Sequence, residues 1–577
     1  MMRPLYDRTN PWRWILSHLR RYTPSVPFYL VAVLAWYVLS SLISRVTGDG
    51  FDAVIQTRPD TRAFVLVVVG LLVLVLARGI CGAASTYLLT TTANRMERDI
   101  REELYLGLLG KSQVFFDRRR VGDIMARATN DASQVNLMFQ PGVEFATTAV
   151  LGTVVPLAFI GFIRPDLLLT PLLFIGAFSV AIRFHGRRLG PASDAMQECF
   201  GAMNARLSET VGAIELVESA GQQAGERERF EETARAFRDA FVRYGRIQAL
   251  YVPPLLLTIA LVAALVHGLI LVGHSVMTVG DLVAYLGLVA LLGVAIGALG
   301  AGLPLIRSGL SGAARILDLL NDEMILDEQA SCYRGQMRGD VIFERVTFGY
   351  GEAGVLEDLS FHIRQGETVA VVGPVGSGKS TLIKLLNRTY DPDSGRILVD
   401  GVNLREWDLE TLRSQIAVIE QDVMLFSCSI RENIAVGAGR GEDSFAVEQA
   451  ARDARAHDFI VSFEKGYETV IAERGVSLSG GQRQRLAIAR ALLAAPRILV
   501  IDDATSAVDS ATDVEIQKAI RYVSKRWTTF LITHRLSQIR TADRILVLDG
   551  GRVVGQGRHD DLMECCVLYR RMFAGYA

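Results

Sequence analysis

Six stretches of this chain stay apolar for about 20 residues each, the length a helix needs to cross the hydrocarbon of a bilayer. They run from about Val26 to Ser44, Ala63 to Leu89, Gly142 to Ile163, Leu167 to Phe184, Val252 to Val272 and Leu282 to Leu303. Three connections are short: one carrying Asp49, Asp52 and Asp60, one made of Arg164, Pro165 and Asp166, and one around Gly273, His274 and Ser275. The other two are long, keep helical periodicity and hold few breakers, so the spans are predicted to continue as helices beyond the bilayer. At about 1.5 Å per residue, roughly thirty such residues carry a hairpin far from the membrane. Past residue 320 the pattern changes to short β-rich runs alternating with helical stretches, as in a soluble α/β domain. The predicted organisation is a membrane domain over 1–320, an acidic linker over 321–339 and a soluble domain over 340–577.

Composition agrees with a membrane chain. Half of the 577 residues are hydrophobic and the mean hydropathy is +0.27, too apolar for an ordinary soluble enzyme. A net charge of −1 supplies no argument for nucleic acid as a partner. The six cysteines (Cys81, Cys199, Cys332, Cys428, Cys565, Cys566) are scattered without metal-ligand spacing, so reduced thiols are expected.

Charge placement orients the spans. The long connections carry Arg95, Arg98, Arg101, Lys111, Arg118, Arg119, Arg120 and Arg127, then Arg187, Arg188, Arg206, Arg227, Arg229, Arg235 and Arg238. Positive loops stay inside, and Arg13, Arg20 and Arg21 before the first span agree. A multi-pass protein of the plasma or inner membrane with both termini cytoplasmic is expected, without a cleaved signal. The segment around Trp12, Trp14, Ile15 and Leu19 fits an amphipathic elbow lying at the inner interface. Within the spans, Arg78 and His267 stand out, because a charge at that depth faces a cavity, pairs or snorkels. Arginines lining a cavity would favour anionic or amphipathic cargo.

The soluble half carries the chemistry. Gly373 to Ser380 read GPVGSGKS, the GxxxxGK[ST] phosphate loop. Its glycines let backbone N–H groups wrap phosphates, and the following helix aims its positive end at them. Leu478 to Gln482 read LSGGQ, and LVIDD ends soon after at Asp503.

That ordered trio resembles the nucleotide-binding domain of ABC ATPases. FFD at Phe115 to Asp117, Gly122–Asp123, Thr129 to Asp131, and LSETVGAIELVESAG at Leu207 to Gly221 resemble the intracellular loops of ABC exporters of type IV. In that family each loop ends in a coupling helix docked on a nucleotide-binding domain. The resemblance therefore covers nearly the whole chain. The fold class it implies is a membrane α-helical domain, six transmembrane helices with long cytoplasmic extensions, fused to an α/β P-loop ABC ATPase domain.

It also implies ATP and Mg²⁺ as cofactors and assigns roles by motif. Tyr350 stacks on adenine. Gly373, Gly376, Ser377, Gly378, Lys379, Ser380 and Thr381 hold the phosphates. Ser380, Gln421 and Asp502 surround Mg²⁺, while Gln421 and His534 also serve the catalytic site. Ser479, Gly480, Gly481 and Gln482 grip the γ-phosphate held by an opposing subunit, so a second half-transporter is required. Glu473, Arg474 and Gly475 resemble a contact with the coupling helices, and Ser506 to Asp509 the D-loop.

One position departs from the family. Asp503 stands where a catalytic glutamate usually sits, and its carboxylate is shorter by one C–C bond, about 1.5 Å. A displacement of about 1 Å in a catalytic group can cost on the order of 10²-fold in rate. The expectation is a slow ATP site in one subunit of a heterodimeric exporter whose partner carries the glutamate. A homodimer with two slow sites, or with aspartate acting through water, stays open. Export of a small amphipathic or drug-like compound is the expected function, with lipid flipping as the alternative. An importer on the same architecture and an ATP-gated channel remain further possibilities. The six spans argue against a soluble ABC ATPase of translation or repair.

Overall fold

The computed structural model describes residues 6–55, 61–249, 253–322, 333–351, 353–437, 443–472, 478–502, 518 and 526–573. The chain divides into two compact units: residues 1–109 with 120–323, and residues 110–119 with 324–577.

The first unit is helical. After the short α1 (Pro11–Arg20) come α2 (Ser25–Ile55) and α3 (Thr61–Leu109). The stretch from α5 (Val121–Ala126) through α6 (Ala132–Leu137) to α7 (Glu144–Ile163) is helical but interrupted by two π-helical segments. Then follow α8 (Leu169–Gly212), α9 (Ile214–Ser219), α10 (Gln223–Ala249), α11 (Pro253–Gly273) and α12 (Val279–Asn321). Six helices of the described residues are long and apolar enough to cross a membrane, and they overlap the six predicted spans. Leu66, Ile80 and Phe162 are largely exposed on them, which in water would be a liability and in lipid is not. α3, at 49 residues, continues well past its apolar part, as the periodicity predicts. The connection before α7 is instead broken into short pieces, with Pro141 inside one π-helical segment.

Two contacts organise this unit. At the α2–α12 crossing a Cβ on Gly48 would stand 2.3 Å from the Gly280 carbonyl oxygen, so the backbones touch. Beside it Arg45 pairs with Asp281. The second contact seats α1. Asn10 caps the helix by accepting from the Trp12 N–H, with Pro11 in the first turn. Trp14 and His18 are fully buried, and their Nε1 and Nε2 lie 2.9 and 3.0 Å from Glu103 of α3. Arg8 donates to the same carboxylate at 2.8 Å. Of the two indoles expected at the membrane interface, Trp12 is half exposed, while Trp14 is buried in this polar cluster.

The second unit holds two sheets. β1 (Val341–Tyr350), β2 (Ala353–Ile363), β4 (Ser394–Val399) and β5 (Val402–Asn403) form an antiparallel sheet in the order β2-β1-β4-β5. The sequence pattern suggests two short strands, Val341 to Phe343 and Val346 to Phe348. They form one strand whose register with β2 and β4 shifts around Arg345, which adopts a left-handed φ of 46°. A bulge lets one strand keep pairing across the break in alternation.

The larger sheet runs β10-β9-β3-β8-β7-β6. Its members are β3 (Thr368–Val372), β6 (Ile416–Ile419), β7 (Ile498–Asp502), β8 (Thr528–Ile532), β9 (Arg544–Asp549) and β10 (Arg552–Gly557). Pairs from β9 through β6 are parallel, and β10 closes one edge antiparallel. Strands covered on both faces are apolar throughout, which is why TVAVV, ILVI and TFLI read as uninterrupted runs.

Residues 110–119 belong to this unit although sequence places them between α3 and α5. They contain α4 (Gln113–Arg118), whose Phe115 is fully buried. Val114 packs against the core shared by the two sheets, and the Tyr390 hydroxyl donates to Asp117. Burial, followed by the hydrogen bond to Asp117 and that carboxylate's charge, pushes the Tyr390 phenol well above its ordinary value.

Candidate nucleotide site

The phosphate loop joins β3 to α13 (Lys379–Leu386). Gly376 and Gly378 sit at φ of 83° and 97°, where side chains are strained. A Cβ on Gly378 would also lie 2.5 Å from Leu356, and one on Gly373 would lie 2.2 Å from the Leu548 carbonyl oxygen. At these three positions of the loop only glycine fits. The Lys379 ammonium turns back over it, donating to the carbonyls of Gly373 and Pro374 at 2.8 Å each. Ser377 is buried, and among the described residues its hydroxyl has no hydrogen-bond partner. A buried, unpaired hydroxyl inside a ring of glycines is costly unless a ligand completes it. An anion in the cradle meets the N–H groups, the lysine and this hydroxyl together, so the residues fit a nucleotide's phosphates.

Next to the cradle Ser380 Oγ donates to Asp502 Oδ2 at 3.2 Å, bringing the first turn of α13 to the end of β7. A hydroxyl and a carboxylate at this spacing are hard-oxygen ligands suited to Mg²⁺. Thr381 is buried, with its hydroxyl 3.4 Å from the Tyr350 hydroxyl. Tyr350 itself is 39 % exposed, leaving a ring face for a base to stack on. Tyr390 meets it edge to face at 5.3 Å, and the Lys384 ammonium lies 5.5 Å from its centroid. Neither neighbour has a motif in the sequence to reveal it.

Ser479 to Gln482 form a capping box at the start of the helix Gly480–Leu493. Ser479 Oγ accepts from the Gln482 N–H at 3.3 Å, and Gln482 Oε1 accepts from the Ser479 N–H at 2.9 Å. The sequence pattern places the helix start at Gln482. The capping box begins it two residues earlier, because S-x-x-Q is itself the capping signature. Since Ser479 uses a lone pair for the cap, its O–H proton stays available to an external acceptor. Ser479 is exposed, Gly480 half-buried and Gly481 buried, and first-turn N–H groups beside an exposed hydroxyl are chemically suited to an anion.

Gln421 and His534 are both exposed, after β6 and β8 respectively. Asp503 lies outside the described residues, as do Glu473, Arg474, Gly475 and residues 506–509.

In the first unit, His267 Nδ1 lies 3.1 Å from the Thr170 hydroxyl, and the Arg78 guanidinium sits 5.8 Å from the Trp36 ring centroid. Sequence reasoning passed over Glu144, at the start of α7. The signal was present: it is the one acidic residue inside the six predicted spans.

Comparison with known proteins decides the family. The ABC transporter transmembrane region profile matches residues 26–296 and the ABC transporter profile residues 356–506. The chain is 34% identical to an ATP-dependent lipid A-core flippase of Pseudomonas fluorescens (strain Pf0-1), over 97% of this chain and 95% of the flippase. The chain belongs to the ABC transporter family. A probable multidrug resistance ABC transporter ATP-binding/permease protein of Bacillus subtilis (strain 168) is 34% identical over 83% of each chain. Among solved structures, a bacterial Atm1-family ABC exporter with ATP bound superposes with a TM-score of 0.77 and 30% identity, covering 97% of this chain and 98% of the exporter. The protein is thus an ABC exporter half-transporter with transmembrane and ATP-binding domains fused in one chain. As an ABC exporter it is a multi-pass membrane protein that binds ATP, couples its hydrolysis to transport and works as a dimer.

Proposed function

We propose that this ABC transporter exports a small amphipathic, drug-like compound, as one half of a dimer whose own ATP site is slow. Tyr350 stacks on adenine, the loop from Gly373 to Thr381 holds the phosphates, and Ser380, Asp502 and Gln421 hold Mg²⁺. Bound there, Mg²⁺ would neutralise phosphate charge. His534 contacts the γ-phosphate, and Asp503 orients water beside it. Ser479 and its neighbours complete the partner's site. The observation that carries the slow-site reading is the residue following β7 in sequence: aspartate, where the family places glutamate. Its shorter reach leaves the attacking water poorly aligned.

ATP binding closes the two nucleotide domains on each other, and the helix carrying Phe115 and Asp117 ties one of them to the membrane spans by chain continuity. With both long basic connections on the inside, the termini are cytoplasmic and the membrane is the plasma or inner membrane. A partner bearing glutamate makes the dimer asymmetric.

The test is ATPase activity of the purified chain in lipid, alone and with a glutamate-bearing half-transporter, alongside ATP-driven uptake of a labelled amphipathic compound into inside-out vesicles. Near-inactivity alone with activity restored by the partner supports the reading. Brisk turnover by a stable homodimer would overturn the slow site. Lipid flipping is the second reading, favoured by the 34% identity to the lipid A-core flippase of Pseudomonas fluorescens. ATP-dependent movement of a labelled lipid, without uptake of the soluble compound, would select it.

A further inference from the structure

Glu144 is an acid without a counter-charge. It stands at the start of α7, two residues inside the end of the third span that follows a long basic connection, and among the described residues no cation forms a salt bridge with it. The one hydrogen bond to its carboxylate comes from Gln140 Nε2 at 2.8 Å. Three acids of the membrane domain whose side chains are buried outside the spans are treated differently: Glu103 is held by Arg8, Asp99 by Arg21 and Arg98, and Asp131 by Arg315. An ionised group at membrane depth is costly unless it pairs or faces a cavity. Glu144 faces a cavity.

That cavity, of about 210 Å³, is lined by α2, α3 and α7 and is open on one side. Tyr29, Trp36 and Tyr37 supply its aromatic wall, Ser85 and Thr147 its polar edges, and Glu144 its charge. The hydroxyl directions are settled by the bonding. Thr147 Oγ1 lies 3.0 Å from the carbonyls of both Val143 and Glu144, so its proton is committed there. The Tyr29 hydroxyl, 2.7 Å from Thr147 Oγ1, must therefore be the donor. Its proton is then unavailable to the Glu144 carboxylate, and what Tyr29 turns to the cavity is an electron-rich ring and oxygen lone pairs. Electron-rich rings beside an unpaired carboxylate attract a positive charge and offer little to an anion.

We propose that this cavity is a binding site for lipophilic organic monocations, quaternary or protonated tertiary amines, with Glu144 as the counter-ion and Tyr29 and Tyr37 as cation–π partners. Arg78 sits by the Trp36 ring and opposes a second cation there, so the bound charge lies on the Tyr29–Tyr37–Glu144 side and the ligand's apolar part toward Val33 and Leu89. As a statement about cargo the inference rests on the export reading above. It reverses the preference for anionic cargo that Arg78 by itself suggests.

The test is equilibrium binding of benzyltrimethylammonium to the full chain in lipid nanodiscs, without ATP. Its uncharged isostere neopentylbenzene and the anion benzenesulfonate serve as comparisons. The expected result is preference for the cation, weakened about tenfold or more by Glu144→Gln and largely kept by Glu144→Asp, with neopentylbenzene indifferent to both substitutions. Equal binding of cation and isostere, or cation binding unchanged in Glu144→Gln, overturns the site. Thermal unfolding matched to wild type shows that each variant is folded, and Tyr37→Leu supplies a second disruption should Glu144→Gln fail to fold. ATP-driven uptake is measured separately. Charge-selective binding without uptake leaves the site standing and sinks the export reading, whereas uptake of a cation indifferent to Glu144→Gln does the reverse.

Discussion

The hydroxyl of Tyr390 donates to the carboxylate of Asp117, joining the ATP-binding domain to a helix that the sequence places between two stretches of the membrane domain. Phe115, two residues earlier, is fully buried beside it, and the charges of Lys111 and Arg119 lie 5.5 and 5.3 Å from its ring. Aromatic burial anchors the helix, and the hydrogen bond fixes how it is seated.

Tyr390→Phe and Asp117→Asn are each expected to weaken a hydrogen bond to a charged group, worth about 1.5–3 kcal/mol. ATP affinity should hold while drug-stimulated ATPase and uptake fall, measured side by side in vesicles. Phe115→Ala should do more, since it removes a buried aromatic costing about 3–5 kcal/mol. The Tyr390 phenol is raised above its ordinary value of 10.0. Its contribution to stability is therefore complete below pH 10.0 and fades as pH climbs through the raised value, so Tyr390→Phe should flatten the alkaline limb of a stability profile.

Lys379→Ala should leave the fold intact, because the Gly373 and Pro374 carbonyls that lose the ammonium lie in a loop where water can satisfy them. ATPase activity of the active dimer should fall by about a hundredfold or more if that site turns over. Loss of nucleotide-dependent thermal stabilisation is the independent readout. A wild-type ATP affinity in Lys379→Ala would contradict the assignment.

Asp503→Glu is expected to raise the ATPase rate of the chain alone, by roughly tenfold to a hundredfold, because the carboxylate regains about 1.5 Å of reach. Steady-state phosphate release at saturating ATP measures it. An unchanged or lower rate would mean that the aspartate already serves as the working base.

The cluster around Glu103 makes a pH-dependent clasp for α1. Burial raises this carboxyl, but hydrogen bonds from His18, Arg8 and Trp14 outweigh it and hold the group below its ordinary 4.5. A depressed carboxyl stabilises fully above that ordinary value and loses its contribution as pH falls below it. Hydrogen exchange of residues 11–20 should therefore quicken on acidification below about pH 4.5. Glu103→Gln should release the same segment at neutral pH, at a cost of about 1–3 kcal/mol. Unaltered exchange in that variant would show that apolar packing of Trp14 and Ile15 alone holds the helix.

The sequence by itself determined what depends on local pattern and short spacing. Apolar runs of bilayer length marked the helices, because backbone amides in lipid must bond within their own segment. GPVGSGKS specified a glycine cradle, because the positive φ of Gly376 and Gly378 and the wall at Leu356 admit no side chain. LSGGQ carried its own helix start in S-x-x-Q, although recognising the motif hid the cap and misplaced that start by two residues.

Tertiary structure decided what depends on partners remote in the chain. Nothing near Trp14 in sequence announces Glu103, so an indole that looked interfacial turned out buried. Asp117 meets Tyr390 from 273 residues away. Ser380 finds Asp502 only because β3, β8 and β7 lie side by side in one sheet. For Glu144, sequence shows an acid in an apolar run. Whether that acid is paired, snorkelled or turned to a cavity depends on which helices surround it: α2 lines its cavity with aromatic rings, α3 with small and polar side chains, and among the described residues no cation forms a salt bridge with it. Local pattern fixes conformation because backbone sterics and hydrogen bonding act over a few residues. Burial and charge pairing are decided by whichever side chains the folded chain brings within reach.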